Sequence, residues 1–339
     1  MKNTSELSGC RKDGRHFRIM RRLLSGFAAL CAAGLLAAGL PAKAETFNFV
    51  ALGDMPYGFD STAGANYRSL IRDINAIKPL FSVHVGDFKA GYTQCSDEEF
   101  ARQRRHFDLF EQAVVYTPGD NDWTDCARTV AGSYDPLERL AKLRRDFFFP
   151  DRSLGQKPIA LESQSVLMPK FPDFIENQRW IVSRTLFVTL HIVGSNNRYD
   201  PTDPRAEAEF IERDRANIAW IQDAFRLARQ KGLVAIAFFL QADVLLGGDR
   251  YENYPPKSGY RTSFGQTLLP LAREFGKPIL IVHGDSHEFR FDAVYVLDGQ
   301  RLKNVQRLEV PGAIITKAVE VTVDEKAAVP FSARVISPK

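Results

Sequence analysis

The sequence predicts an α/β protein, and two observations carry that prediction. Apolar, β-branched segments alternate with amphipathic helical segments along most of the chain after residue 45. Three of the apolar segments end in Gly followed by Asp: Gly53-Asp54, Gly86-Asp87 and Gly119-Asp120-Asn121-Asp122. Glycine allows the sharp turn that ends a buried strand, and ligand-binding crevices form at the carboxyl edge of such sheets.

In the first half of the chain, each Gly-Asp pair is predicted to follow a strand directly. Pro79 and Pro150 end the first and third helices, because proline cannot continue a helix. The predicted elements are a strand over 47–52, a helix over 66–77, a strand over 80–85, a helix over 98–112, a strand over 113–117 and a helix over 136–148.

Residues 151–180 are irregular and rich in proline, and regular patterns resume after them. We expect two short strands within 180–193, a long helix over 206–230, a strand over 233–240, a helix over 263–275, a strand over 278–282 and paired strands in the tail. The apolar side of the long helix is predicted to contain Ile211, Ile218, Ile221, Phe225 and Leu227.

The first 44 residues have the pattern of a secretory signal peptide. Basic residues crowd positions 11–22, an apolar run covers 23–40, and Ala42-Lys43-Ala44 matches a cleavage site. We predict cleavage after Ala44, export by a bacterial-type pathway to the periplasm or medium, and one domain over 45–339. The alternative is an uncleaved N-terminal anchor, and Met20 is a candidate true start.

Charge gives no support for a polyanionic partner. The chain has 45 Lys and Arg against 41 Asp and Glu, and the leader holds eight of the former and two of the latter. The remainder is therefore close to neutral, with a net charge of −2. We expect neither nucleic acid nor a stable membrane attachment after cleavage. The pattern does not indicate an oligomeric state.

Two cysteines, Cys95 and Cys126, lie outside the leader. Each follows a Gly-Asp strand end by six to eight residues, so both are expected on neighbouring loops. In an exported chain, an even pair favours a disulfide over two free thiols.

A fourth apolar run leads into His283-Gly284-Asp285-Ser286-His287. Carboxylates and imidazoles delivered to one sheet edge can hold a pair of divalent cations that clamp a phosphoryl group and activate water. The order Gly-Asp, Gly-Asp, Gly-Asp-Asn-Asp and Gly-Asp-Ser-His resembles the calcineurin-like metallophosphoesterases over about residues 47–292. The resemblance implies a two-sheet mixed β-sandwich flanked by helices, in four layers.

The resemblance also implies roles for individual residues. Asp54 matches the first metal ligand, Tyr57 fits a variant found in purple-acid-phosphatase-like members, and Asp87 matches the bridging carboxylate. Asp120 and Gln241 stand where the family has Asn and His ligands. Asp285 replaces the first His of the last motif and His287 keeps the second, so His287 is expected both to bind metal and to take part in catalysis.

Several positions depart from the family pattern. Pro56 stands where many members have His, and Asn121 stands at the position of the His thought to assist the leaving group. An amide cannot give up a proton near neutral pH, so activity is expected to be weaker. Oxygen donors at Asp120, Gln241 and Asp285 favour Mn²⁺, Mg²⁺ or Ca²⁺, with Fe or Zn as further candidates.

Other residues have a second interpretation. His283 is an alternative ligand because it alternates with Asp285 and His287. His84 and His191 are expected in the core, and Asp122 and Trp123 as loop supports. Arg198 is a candidate substrate-phosphate ligand, although turn chemistry explains its Asn neighbours equally well. Tyr251, Tyr254 and Tyr260 either line a substrate cleft or form an aromatic surface loop.

Two functions follow from the pattern. The first is an exported, metal-dependent phosphoesterase that hydrolyses a small phosphate ester by metal-activated water at a dinuclear site. The second is a catalytically weakened or inactive relative that acts as a metal- or ligand-binding module. The sequence does not name the substrate, nor does it distinguish a monoester from a diester.

Overall fold

Two β-sheets stacked face to face form the centre of the molecule, with helices on both outer faces. The computed structural model describes residues 45–245 and 258–338. The strands are β1 (Thr46–Leu52), β2 (Phe81–His84), β3 (Ala113–Tyr116), β4 (Glu162–Ser163), β5 (Gln178–Val182), β6 (Thr185–Thr189), β7 (Ala235–Phe239), β8 (Ile279–His283), β9 (Arg290–Asp292), β10 (Val296–Leu297), β11 (Gln300–Arg301), β12 (Val305–Glu309), β13 (Ala318–Asp324) and β14 (Phe331–Ile336).

The helices connect these strands and cover the sheets. They are α1 (Ala65–Ile77), α2 (Asp97–Phe107), α3 (Pro136–Phe147), α4 (Gln164–Leu167), α5 (Gly194–Asn197), α6 (Pro204–Gln230) and α7 (Leu269–Phe275). Short π-helical turns precede two of them, at Asp60–Gly64 and Arg261–Leu268. No helix in the described ranges combines the length and apolar character needed to cross a bilayer.

Parallel strands at the middle of each sheet set the position of the loops. The first sheet has the order β14-β13-β1-β2-β3, and the second has β4-β5-β6-β7-β8-β12-β9. Strands β1, β2 and β3 are parallel to one another, and so are β6, β7, β8 and β12. The loops that follow these strands therefore leave each sheet at one edge.

Aromatic side chains fill the space between the two sheets. Phe81 on β2 packs against Phe187 on β6, with ring centroids 5.0 Å apart, and Trp180 on β5 stacks on Phe187 at 5.4 Å. The outer face of the first sheet packs against helices through Tyr67 and Phe100, among others. The outer face of the second sheet packs against Trp220 and its neighbours on α6. The predicted four-layer sandwich is confirmed.

The structure corrects three details of the predicted elements. Helix α2 ends at Phe107 rather than 112, because tight turns after it carry Phe110 into the core. Ile211 was wrongly placed on the apolar side of α6: it is 37% exposed, while Arg213 and Asn217 face inward and are buried. The region 151–180 contains β4, α4 and the start of β5, which the sequence pattern did not reveal.

Candidate active site

Four strand ends bring four aspartates together. Asp54, Asp87 and Asp120 follow β1, β2 and β3 of the first sheet, and Asp285 follows β8 of the second. The backbone N–H of Asp285 donates to Asp54 Oδ1 at 3.1 Å, so the carboxyl edges of the two sheets meet here. We call Asp54, Asp87, Asp120 and Asp285 the carboxylate cluster. Three of them are at most 6% exposed, and Asp285 is partly buried.

Left-handed backbone conformations aim three of these carboxylates. The φ angles are 53° at Asp54, 57° at Asp87 and 75° at Asp285. Non-glycine residues adopt this region uncommonly, and aspartate is among those that tolerate it best. Because the chain turns back at each strand end, the side chains point toward one another rather than into solvent.

Asp54 and His287 form one side of the cluster. His287 Nε2 lies 3.5 Å from Asp54 Oδ1, and the imidazole side chain is 36% exposed. The Tyr57 ring meets the His287 ring edge to face, with centroids 5.5 Å apart. Asp54 is therefore the buried member of this pair, and His287 is the member that contacts solvent.

Asp87 lies at the centre, held by Asn121 and Tyr57. The backbone N–H of Asn121 donates to Asp87 Oδ1 at 3.0 Å, and its side-chain amide donates to Oδ2 at 2.7 Å. The Tyr57 hydroxyl donates to Oδ2 at 2.9 Å and accepts a bond from Asn121 Nδ2 at 2.8 Å. Asn121 thus orients Asp87 in the structure, and the Tyr57 oxygen contacts this carboxylate.

Asp120 and Asp285 form the other side, with Gln241 between them. Gln241 Nε2 lies 3.1 Å from Asp120 Oδ1 and 3.4 Å from Asp285 Oδ1. The Gln241 oxygen accepts a bond from the backbone N–H of Gly194 at 2.5 Å. The amide nitrogen, rather than the oxygen that was predicted to ligate metal, faces the carboxylates.

Glycines shape the walls of the site. A Cβ atom at Gly119 would lie 1.9 Å from Asp87 Oδ1, and one at Gly284 would lie 2.0 Å from an Asp54 oxygen. A Cβ at Gly194 would lie 2.7 Å from oxygens of both Asp120 and Asp285. Any side chain at these positions would displace a carboxylate.

Burial and mutual repulsion raise the pKa values of these carboxyl groups. Burial, followed by the nearby charge of Asp285, holds the pKa of Asp54 well above its usual range. Burial and Asp120 do the same for the pKa of Asp87, and they raise the pKa of Asp285 to about 8. In the described part of the chain, no Lys or Arg forms an ion pair with the cluster. The site therefore gains stability from protons or from a bound cation.

Asp122 has the supporting role expected of it. Its carboxylate accepts bonds from the backbone N–H groups of Asp87, Phe88 and Gly119, and from the Tyr116 hydroxyl at 2.7 Å. It therefore joins the loops that follow β2 and β3. Cys95 and Cys126 tie the same loops together in the predicted disulfide, with Cα atoms 5.7 Å apart.

Other groups contact His283, the alternative ligand, and the expected core histidines His84 and His191. His84 and His191 are buried; His84 Nε2 lies 3.2 Å from the Met55 carbonyl, and His191 Nδ1 lies 2.7 Å from Glu176. His283 Nδ1 lies 2.9 Å from the Gly284 carbonyl, a backbone contact.

Arg198 and the tyrosines have other surroundings. The guanidinium of Arg198 lies over the Trp123 ring at 5.6 Å and 4.0 Å from Asp203. Tyr260 is buried and donates to the Val193 carbonyl, so it is not part of a surface loop. Tyr251 and Tyr254 lie outside the described residues.

Sequence reasoning missed two polar residues of the site. Ser195 donates from Oγ to Asp120 Oδ2 at 2.7 Å, within a left-handed turn at α5. Asp243 donates its backbone N–H to Asp285 Oδ2 at 3.0 Å and accepts a bond from Ser286. Both follow parallel strands of the second sheet, β6 and β7, so their position at a strand end was the available signal.

The donors of the two sides differ in how well they fit a divalent cation. No three His, Cys, Asp or Glu side chains among residues 45–245 and 258–338 form a closed ligand set. The chemistry of Asp54, Asp87 and His287 nevertheless fits, since two buried carboxylates with raised pKa values lie in one cluster and an accessible imidazole lies against Asp54. The other side fits less well, because Gln241 presents a hydrogen-bond donor there.

Comparison with known proteins supports the fold rather than a specific activity. No protein-family model matches the chain, and no curated protein matches its sequence. Among solved structures, a dimetal phosphatase from Danio rerio is similar with a TM-score of 0.50 and 10% identity, over 86% of this chain and 99% of that one. A structure of PhoD is similar with a TM-score of 0.53 and 9% identity, over 88% and 70%. The chain thus shares the fold of these two structures.

Proposed function

We propose that the protein is an exported, divalent-cation-dependent phosphoric ester hydrolase that acts on small phosphate esters. One observation carries the proposal: four carboxylates from two sheets converge at strand ends without a Lys or Arg partner in the described chain. A fold shared with a dimetal phosphatase supports it. The disulfide adds to the leader sequence in favour of export.

One cation would be held by Asp54, Asp87 and His287. The predicted ligands of a second cation include Asp120, Gln241 and Asp285. When bound, a divalent cation polarises a phosphoryl oxygen and lowers the pKa of a water molecule. Asn121 keeps both oxygens of Asp87 in place through two donated bonds. Partial burial lowers the pKa of His287, which favours the neutral ring and its lone pair.

Asn121 limits the range of leaving groups. Its amide can donate a hydrogen bond but cannot supply a proton near neutral pH. An aryl phosphate, whose leaving group needs little protonation, is therefore the best first substrate. We expect hydrolysis of an aryl phosphate with Mn²⁺, Mg²⁺ or Ca²⁺, and much slower hydrolysis of an alkyl phosphate.

The test compares Asp87→Asn with the parent protein in a p-nitrophenyl phosphate assay. We expect at least about a 100-fold loss of kcat/KM, because the variant removes a central ligand and not only a supporting contact. Asp298→Asn is the matched control, because Asp298 is exposed and pairs only with Arg273 in the described structure. An equal loss in both variants, or full activity in Asp87→Asn, would contradict the proposal.

A cation-binding module without catalysis is the second candidate. The observation that favours it is that Asn121 Nδ2 is already bonded to both Tyr57 and Asp87. Saturable cation binding, lost in Asp87→Asn, together with no hydrolysis of aryl mono- or diesters, would select this function over the first.

A further inference from the structure

Gln241 is buried between two carboxylates that would otherwise face a second cation. It follows strand β7 and has no exposed surface. Its side-chain nitrogen is within hydrogen-bond distance of Asp120, and 3.4 Å from Asp285. An oxygen of each carboxylate lies 2.7 Å from the point where a Cβ of Gly194 would stand, so these two oxygens are close neighbours.

The bonding partners determine which way the amide points. The backbone N–H of Gly194 can only donate, so the Gln241 atom 2.5 Å from it is the oxygen. Reversing the amide would set N–H against N–H at Gly194 and place its oxygen against Asp120 Oδ1. Both contacts would be repulsive.

The stem of the side chain is also fixed. The backbone N–H of Gln241 donates to the Ile192 carbonyl, and its carbonyl accepts from Gly284. A Cβ built on Gly86 would lie 2.9 Å from Gln241 Cγ, so the methylene groups pack closely against the loop of Asp87. Reorienting the amide therefore requires movement of the loops around it.

We propose that this chain holds a single divalent cation, on the side of Asp54, Asp87 and His287, and that the Gln241 amide nitrogen takes the place of a second cation between Asp120 and Asp285. The proposal rests on the cation dependence proposed above. It lowers the expected number of bound cations from two to one. Two N–H groups of a neutral amide satisfy acceptors on both carboxylates without adding a ligand.

Metal content after equilibrium dialysis against Mn²⁺ tests the proposal independently of turnover. We expect about one Mn²⁺ per chain in the parent protein and about two in Gln241→His, whose imidazole can bind metal. Electron paramagnetic resonance gives a second readout. Two ions about 3.5–4 Å apart interact magnetically, whereas a single ion gives an isolated signal.

Gln230→His is the matched control, because Gln230 is exposed at the end of α6 and far in sequence from the cluster loops. It is expected to retain one ion. If Gln241→His does not fold, as judged by circular dichroism, Gln241→Glu provides a carboxylate of the same length and is also expected to bind two ions.

The outcomes are distinguishable. Two ions in the parent protein would overturn the single-ion proposal and leave the proposed function intact. One ion in the parent and one in each folded Gln241 variant would overturn the role of Gln241. No ion in the parent would overturn the cation dependence itself, and with it both proposals.

Discussion

Two buried groups of charged side chains differ in how their charge is balanced. The carboxylate cluster contains four acids with no Lys or Arg paired to them in the described chain. A second group, which we call the paired cluster, contains acids and bases in close contact, and two of its members lie against the Trp123 ring. Its members are Arg144, Glu176, His191, Glu209 and Arg213.

The pKa values show what this difference does. Burial raises the pKa of Glu176, but Arg144 and His191 overcome that effect and lower it to about 2. At Asp54 and Asp87, no paired Lys or Arg in the described chain opposes the effect of burial, and the pKa values are raised. The charges of the paired cluster are balanced by side chains of the same chain, and this cluster stabilises the fold. The carboxylate cluster needs protons or a bound cation to balance its charge.

Breaking the paired cluster should have the largest effect on stability. Glu176→Gln leaves Arg144 without its buried carboxylate, and we expect a loss of about 3–5 kcal/mol in the free energy of unfolding. Urea denaturation at pH 7 measures it. Glu274→Gln is the control, because its pair with Arg229 is exposed and is expected to contribute less than about 1 kcal/mol. Similar losses in the two variants would refute the distinction.

Adding a divalent cation should stabilise the protein through the carboxylate cluster and not through the paired cluster. At a concentration about 100 times the dissociation constant, a bound cation adds about 2.7 kcal/mol, which raises the Tm by about 5 °C. Differential scanning fluorimetry with and without Mn²⁺ measures the shift. Asp87→Asn should lose it and Glu176→Gln should retain it. An equal shift in Asp87→Asn would mean that the ion binds elsewhere.

Acid should weaken the paired cluster first. The pKa of Glu176 falls from 4.5 when unfolded to about 2 when folded, so its stabilisation is complete above pH 4.5 and declines as the pH falls toward 2. We expect the stability difference between the parent protein and Glu176→Gln to shrink by about 2 kcal/mol between pH 5 and pH 3. Urea titrations across that range provide the measurement, and a constant difference would contradict the assigned pKa.

The sequence indicated the position of the aspartates at strand ends because that signal is local, while their role as ligands stays a prediction. An apolar run followed by Gly-Asp can be recognised within about six residues. Asp54, Asp87 and Asp120 could therefore be placed at strand ends without knowing the fold. Asp285 needed only the order of the motifs. The direction of the Gln241 amide could not be predicted, since it depends on the N–H of Gly194, which lies 47 residues earlier in the chain.

The paired cluster escaped prediction for the opposite reason. Glu176, His191 and Arg213 are distant in sequence and sit in a proline-rich segment, a strand end and a helix. The apolar periodicity of the helix predicts that Ile211 faces inward. The buried stripe instead includes Arg213, because Asn197 and Glu209 satisfy its charge and donors. Hydrophobic periodicity does not register a buried charge that has partners elsewhere.

The shape of the site depends on Gly119, Gly194 and Gly284 more than on the charge of its acids. An acid exchanged for its amide keeps nearly the same shape, so charge can leave the cluster with little rearrangement of the backbone. A glycine exchanged for any other residue at these positions pushes a methyl group into a carboxylate. Replacing one of these acids by its amide should therefore disturb the backbone less than replacing any of these three glycines.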